Sequence, residues 1–428
     1  MKKTKNQLSG HSTLQETLGR NKMINVIGLG YIGLPTALML STYGNEVVGT
    51  DSNVNLVNEL NAGRTTFKEE GLDALFEEAI SKGIIFTTEY QKTDTYIVAV
   101  PTPYDKRNKK IDPAYVIAAV ENVLEVCPKG ACIVIESTVS PGTIDRYIRP
   151  LIESKNFIIG EDIHLVHAPE RIIPGNMVYE LLHNSRTIGA DNHEVATQIK
   201  ALYSTFCQSE IVTTTIRTAE MTKVVENTFR DINIAYANEL TKICRREGMD
   251  VYEIIRIANK HPRVNILSPG PGVGGHCISV DPWFLVGDFP DLANLIWQAR
   301  KINDSMPEFV LERIHHIMKD QSITDVGRVG LYGLTYKEDV DDVRESPTLQ
   351  LLDCMTRHLS SGLKVYDPWV KRDIVANQYH DFDAFLQDVD MVVIMVSHTE
   401  LRENMTKLQN KVVLDTRKVC ELPNTYRL

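Results

Sequence analysis

The chain has 428 residues, room for two or three domains at roughly 100 to 200 residues each, which excludes a single small binding module. Apolar residues make up 43 % of it and charged residues 24 %, values that exclude a collagen-like, coiled-coil or disordered body. With 46 Lys and Arg against 56 Asp and Glu, a net charge of -10 and no basic block, it is poorly suited to follow nucleic acid or an anionic membrane, and an enzyme acting on small molecules becomes the leading class.

Residues 1–22, MKKTKNQLSGHSTLQETLGRNK, form a positively charged polar extension with no apolar core, so they do not read as a signal peptide. No run of about 18 apolar residues suggests a membrane span. Seven cysteines (Cys127, Cys132, Cys207, Cys244, Cys277, Cys354, Cys420) are an odd number, scattered and without a CxxC pair. They point to reduced thiols in a cytoplasmic protein, and to neither a disulfide framework nor a metal site.

From Met23, MINVIGLG reads as a strand running into a glycine turn, and YIGLPTALMLSTYG as the helix after it. EVVGTD is a second strand ending in Asp51; TYIVAVPTP, ACIVIEST and IHLVHAPE are further buried strands, alternating with helical segments such as AYVIAAVENVLEV. Residues 23–215 therefore predict a doubly wound parallel sheet, a Rossmann domain. Residues 216–320 read as a central helical domain. Within it, residues 218–260 contain no Pro and a single Gly; Ser268-Pro-Gly-Pro-Gly-Val-Gly-Gly-His-Cys277 is too rich in Gly and Pro for a regular element; and about 292–319 is again helical. Residues 321–428 carry RVGLYGLTYK, SPTLQLLDCMTRHLSSG, LKVYDP, DMVVIMVS and KVVLDTR, a second and smaller α/β unit that is Rossmann-like.

Gly28-Leu-Gly30-Tyr-Ile-Gly33 is a GxGxxG between a strand and a helix, with Asp51 closing the next strand. Glycines there allow a tight turn and let a pyrophosphate approach the backbone N–H groups of the helix N-terminus, while the carboxylate receives ribose hydroxyls. Asp51 favours NAD over NADP, whose 2′-phosphate would meet its charge. Val100-Pro101-Thr102-Pro103 and Glu136-Ser137-Thr138 end later strands, where such a sheet opens its ligand crevice, although each alone is an ordinary strand end. Cys277 follows GVGG and precedes a helix start whose unpaired N–H groups would favour the thiolate, so it reads as a nucleophile rather than a buried small hydrophobe. Asp281, four residues on, either orients a base or a water or caps the helix. Lys223 and Asn227 share a helix face at i, i+4, against the alternative of an exposed lysine. Glu170 in HAPERIIPG is equally a general base or a loop carboxylate.

From Met23 to the C-terminus, GLGYIGLP, VPTP, EST, PER, TAEMTKVVENTFRDIN, GPGVGGHC and TYKEDVDDVRESP together resemble the UDP-glucose/GDP-mannose dehydrogenase family. HAPERIIPG, NKHPRVNI and PGPGVGGHCISVDPWF are most similar to its UDP-N-acetylmannosamine dehydrogenases. The resemblance implies an NAD domain over 23–215, a central helical dimerisation domain over 216–320 carrying the cysteine loop, and a UDP-sugar-binding domain over 321–428. It implies Cys277 as nucleophile, Glu170 as base for the hydrolytic water, Lys223 and Asn227 as stabilisers of alkoxide and oxyanion, Asp281 as a partner of Lys223 in proton handling, and Thr138 as holder of the water. Gly28, Gly30, Tyr31, Ile32, Gly33, Asp51, Pro101, Thr102 and Thr138 are the implied cofactor contacts. Glu170, Arg171, Lys223, Asn227, Arg263, Gly274, Gly275, Lys337 and Arg344 are the implied substrate contacts, with Arg263 reaching across a homodimer. The sequence departs from the family in its polar N-terminal extension and in Ser279, where close relatives often carry Ala.

The implied reaction takes a C6 primary alcohol of UDP-N-acetyl-D-mannosamine to the uronic acid, a surface-polysaccharide precursor. It removes four electrons, so two NAD molecules act in turn while a thiohemiacetal and then a thioester hold the carbon on Cys277. The glycine loop from Gly270 to Gly275 offers N–H groups as an anion nest for the diphosphate. Three alternatives remain: a UDP-N-acetylglucosamine or UDP-glucose 6-dehydrogenase with the same machinery, a two-electron β-hydroxyacid dehydrogenase, which needs neither the thiol nor a third domain, and an NAD-responsive sensor.

Overall fold

A computed structural model describes residues 23–357 and 362–428; the polar extension of residues 1–22 lies outside the described residues. The chain divides into two compact units. One contains the described residues up to Pro103 together with Asp112–Lys223, and the other contains Tyr104–Ile111 and Val224–Leu428.

The first unit is built on eight strands: β1 (Met23–Ile27), β2 (Glu46–Thr50), β3 (Ile85–Thr87), β4 (Thr95–Val98), β5 (Ala131–Ile135), β6 (Ile163–His167), β7 (Arg186–Ala190) and β8 (Ile211–Thr214). Their order is β3-β2-β1-β4-β5-β6-β7-β8. Helices cover both faces, so the central strands are apolar throughout rather than alternating; Ile24, Val26, Tyr96, Ile97, Val98, Ile133, Val134 and Ile135 are all buried. Each such side chain contributes about 1.5–3 kcal/mol through removal from water. The order reverses between β1 and β4, which opens a crevice at their carboxyl ends.

The parallel expectation holds from β3 across to β6 and fails at β7, which pairs with β6 antiparallel, Val166 opposite Ala190 and His167 opposite Gly189. The connection from β6 carries only the seven-residue helix Met177–His183, about 10 Å long. That is shorter than the return path along a five-residue strand, about 16 Å. The eleven-residue helix His193–Tyr203 then restores a parallel crossover to β8.

The helical region expected over 218–260, whose first residues belong to the first unit and the rest to the second, is broken once, at its single glycine. The helix Ile216–Glu247 stops at Gly248, whose φ of +69° suits glycine. Asp250 then caps Val251–Ala258 by accepting from Tyr252 N–H and Glu253 N–H. The stretch about 292–319 is likewise two helices, Asn294–Asp304 and Met306–Asp320, the second opening with Pro307 in its first turn. Six parallel strands follow: β9 (Val329–Tyr332), β10 (Lys364–Tyr366), β11 (Gln378–Tyr379), β12 (Met391–Ile394), β13 (Val412–Asp415) and β14 (Thr425–Arg427). Their order, β11-β10-β9-β12-β13-β14, again reverses at the first strand. Among the described residues no helix is long and apolar enough to cross a membrane, and no group of three His, Cys, Asp or Glu is placed to hold a metal ion. All seven cysteines are free thiols.

Candidate active site

The expected dinucleotide turn sits at the crevice of the first sheet. Gly28 has φ +89°, and its N–H donates to Thr50 O at 2.8 Å. A Cβ on Gly28 would lie 2.5 Å from Ala99 O and one on Gly33 only 1.8 Å from Gly28 O, whereas Gly30 has nothing within 4 Å. The outer glycines therefore permit close packing, and the middle one leaves the backbone open to a ligand. Half-buried Tyr31 and Ile32 lead into the helix Gly33–Thr42. Asp51 accepts from Leu29 N–H and Asn53 N–H, both at 2.8 Å, which fixes the carboxylate beside the turn with lone pairs to spare for ribose hydroxyls. Exposed Pro101, buried Thr102 and half-buried Thr138 follow β4 and β5. The open Gly30 backbone beside a fixed carboxylate fits a dinucleotide such as NAD.

The same unit carries Glu170 and Arg171 after β6. Glu170 is buried; it accepts from Arg171 N–H at 2.6 Å and forms an ion pair with the buried Arg186. The Arg171 guanidinium, an expected substrate contact, donates to Ser185 O at 2.9 Å, Ser185 Oγ at 3.0 Å and Thr187 Oγ1 at 2.9 Å. Lys223 is buried on the long helix, four residues before the equally buried Asn227. The exposed-lysine alternative is therefore not the one realised.

Asn227 belongs to the second unit, where its Nδ2 donates to Asp281 Oδ2 at 2.6 Å. Asp281 opens the helix Asp281–Asp288, whose N-cap is Val280 with no side-chain cap bond; the carboxylate is committed to Asn227, not to capping. The Asp281 N–H donates to the backbone carbonyl of Cys277 at 2.8 Å, which ties the main chain at the half-buried cysteine to the residue that holds Asn227.

The glycine loop is only partly the nest its composition suggests. Gly270 N–H donates to Asn238 Oδ1 at 2.9 Å and Gly275 N–H to Arg344 O at 2.9 Å, so both are already used. What requires glycine here is close packing: a Cβ on Gly274 would lie 2.6 Å from Glu345 O, and one on Gly275 2.8 Å from the Tyr336 ring. The Ser279 hydroxyl donates to Gly275 O and closes the loop on itself. The segment after β9 lies at the second sheet's order reversal and carries half-buried Lys337 and exposed Arg344, the latter paired with Asp342 at 2.6 Å and 44 % exposed. Arg263 is exposed in the loop after Val251–Ala258.

Residues 22–207 match the NAD binding domain of the UDP-glucose/GDP-mannose dehydrogenase family, 217–305 its central domain and 330–422 its UDP binding domain. A UDP-N-acetyl-D-mannosamine dehydrogenase of Methanocaldococcus jannaschii is 41 % identical over 420 residues, 95 % of each chain. The chain belongs to the UDP-glucose/GDP-mannose dehydrogenase family. An NDP-N-acetyl-D-galactosaminuronic acid dehydrogenase of Ralstonia nicotianae is 40 % identical over 408 residues, covering 92 % of this chain and 96 % of the relative. The solved UDP-N-acetyl-mannosamine dehydrogenase of Staphylococcus aureus superposes with a TM-score of 0.85 at 41 % identity, over 95 % of this chain and 97 % of that one. The dehydrogenase thus uses NAD, held by its N-terminal domain, and its C-terminal domain is the one that takes the UDP of a nucleotide sugar. The β-hydroxyacid and sensor alternatives fall to the central and UDP-binding domains. Sequence reasoning passed over Arg186, which opens β7, and its partner Tyr203, and read Glu136 only as part of a strand end at the crevice. An arginine opening an otherwise apolar strand is the signal that could have found it.

Proposed function

We propose that this dehydrogenase oxidises UDP-N-acetyl-D-mannosamine at C6 to UDP-N-acetyl-D-mannosaminuronate, as a cytoplasmic homodimer. The reading is supported by the buried hydrogen bond of Asn227 to Asp281, whose N–H in turn holds the backbone carbonyl of Cys277 and so ties the cysteine loop to an oriented amide and carboxylate. NAD, when bound, supplies the hydride acceptor, one molecule for each of the two oxidations.

Lys223 and Asn227 hold the C6 oxygen and stabilise it as alkoxide, with Asp281 sharing the proton carried by Lys223. After the first hydride leaves, Cys277 Sγ forms a bond to the aldehyde carbon, and the carbonyl oxygen takes up a proton to give the thiohemiacetal. Loss of the second hydride and of that hydroxyl proton leaves the thioester. Water held by Thr138 gives a proton to Glu170 as its oxygen bonds to the thioester carbon; the C–S bond breaks and its electron pair returns to Sγ. Lys337, Arg344, Arg171 and the Gly274–Gly275 backbone serve the nucleotide-sugar, with Arg263 contributed across the dimer.

Offering UDP-N-acetylmannosamine, UDP-N-acetylglucosamine and UDP-glucose at equal concentration, with NADH release and product mass followed, tests the substrate. Discrimination between epimers rests on a buried hydrogen bond to the axial acetamido group, worth about 1–3 kcal/mol. The mannosamine compound is expected to lead by about ten- to a hundredfold in kcat/KM. A higher kcat/KM for either competitor overturns this assignment.

The dimer is supported by the long helix, where Val225, Phe229, Tyr236 and Ile243 are exposed by 47, 64, 51 and 50 %. The last three recur every seven residues, as a helix seam requires. Phe229→Glu is expected to raise the dimer dissociation constant by about 30-fold or more, the scale of a lost central anchor. Light scattering across a dilution series reads it; an unchanged dimeric mass at every concentration would rule this seam out.

A further inference from the structure

Five elements of the first unit bury two carboxyl groups around one guanidinium. Glu136 follows β5, Glu170 follows β6 and Arg186 opens β7; Tyr203 ends the helix His193–Tyr203, and Thr36 lies on Gly33–Thr42. The side chains of Glu136, Glu170 and Arg186 are 0, 3 and 4 % exposed. One Arg186 nitrogen pairs closely with Glu170 Oε2, and another reaches Glu136 Oε1 only at 3.5 Å. The rings of Tyr203 and Phe206 flank the guanidinium at 4.4 and 5.3 Å. His167, which pairs with Ile135 at the end of β6, supplies no second cation: burial drives its imidazole down to about 4, and its Nδ1 lies 2.8 Å from Ile135 O.

A single cation cannot balance two buried anions, and an uncompensated one is expelled or takes a proton. The hydrogen bonds say which. Glu170 has two strong donors, Arg186 and Arg171 N–H. Glu136 has the Tyr203 hydroxyl at 3.1 Å and the long contact to Arg186, while its Oε2 has no hydrogen bond of ordinary geometry among the described residues. Burial, opposed by Arg186 and reinforced by the charge of Glu170, pushes the Glu136 carboxyl up to about 7, with the Tyr203 and Thr36 hydroxyls favouring the anion. Glu136 is therefore the carboxyl on which burial favours a proton.

We propose that Glu136 is a positioning residue for thioester hydrolysis: on losing its proton it draws Arg186 from Glu170, and the carboxylate so released accepts the proton of the attacking water. This rests on the reading of Glu170 as the base of that step. No electrons change hands; the water O–H and thioester C–S bonds break, the new C–O bond forms, the sulfur keeps the C–S pair, and the Glu136 proton passes to solvent.

Decay of the Cys277 acyl-enzyme, followed by acid quench and intact-protein mass between pH 6 and 8, tests the proposal, with the rate of acylation in the same experiment as reference. A group titrating at about 7 goes from roughly a tenth to roughly nine tenths ionised over this range. Decay in the unaltered enzyme is therefore expected to quicken about ninefold. In Glu136→Gln the dependence is expected to flatten to within about twofold and the acyl-enzyme to persist, since no proton can leave. In Tyr203→Phe the inflection is expected to move to higher pH, because the anion loses a donor; this variant decides the matter if Glu136→Gln does not fold. An inflection kept by Glu136→Gln, or unmoved in Tyr203→Phe, overturns the role of Glu136. Absence of any Cys277 adduct in the unaltered enzyme overturns the thioester chemistry itself. Adduct decay in Glu170→Gln at the unaltered rate overturns Glu170 as base and leaves Glu136 nothing to act on.

Discussion

Cys277→Ala is expected to abolish formation of the carboxylic acid, lowering its rate by about 10³-fold or more, the scale on which loss of a covalent nucleophile is felt. The reason is the oxidation level. An aldehyde that is not covalently held can diffuse away between the two hydride transfers, and without the thiol no thioester forms for water to cleave. The substitution is structurally mild: the loop is held by Asn238 on Gly270 N–H, Arg344 O on Gly275 N–H and the Ser279 hydroxyl on Gly275 O, none of which involves the sulfur. NADH yield per sugar and product mass with the purified variant give the answer. Unimpaired conversion to the acid would falsify Cys277 as nucleophile.

NAD is expected to be preferred over NADP by about 10³-fold in kcat/KM. Asp51 is pinned by Leu29 N–H and Asn53 N–H, so it cannot swing aside for an added phosphate. Two like charges about 4 Å apart at an effective dielectric near 20 cost about 4 kcal/mol, which is about three decades. Steady-state comparison of the two cofactors, repeated with Asp51→Ala, checks the cause: the preference is expected to narrow in the variant. Equal efficiency in the unaltered enzyme would mean that Asp51 does not meet the ribose.

The parts of the fold legible in the sequence are those whose physics is local. β1, β2, β4, β5 and β6, and β9, β10, β12 and β13, announce themselves because strands covered on both faces must be continuously apolar. The glycine turn is legible because its backbone demands are met by one residue type. β3, β11 and β14 are two or three residues long and lie toward or at the sheet edges, where pairing rather than composition makes a strand. The break at Gly248 was visible only as the single glycine in a long helical run; the left-handed φ behind it was not. The contact of Asp281 with Cys277 could be anticipated from its i, i+4 spacing, whereas the bond from Asn227 to Asp281, 54 residues apart, could not. The ring of Glu136, Glu170, Arg186 and Tyr203 could not, because its members come from separate elements with no shared period.

The reversal of β7 decides where Arg186 can be. In a parallel sheet every strand presents its first residue at the amino edge, away from the ligand crevice; only a strand running the other way brings its opening residue to the carboxyl edge. The pairs Val166–Ala190 and His167–Gly189 bring Arg186, the first residue of β7, beyond the carboxyl end of β6, where its guanidinium meets Glu170. The cation is thus delivered by strand register and not by a loop, and it has the rigidity of the sheet. That rigidity has a cost in tolerance. Slippage of β7 by one residue would put Ser185 or Thr187 in the place of Arg186, turn the guanidinium to the other face and leave two buried carboxyls with no cation between them. Insertions or deletions between Arg171 and Ser185 are therefore acceptable to this enzyme only where they leave that pairing in step, although the segment is a connection of the kind in which length usually varies freely.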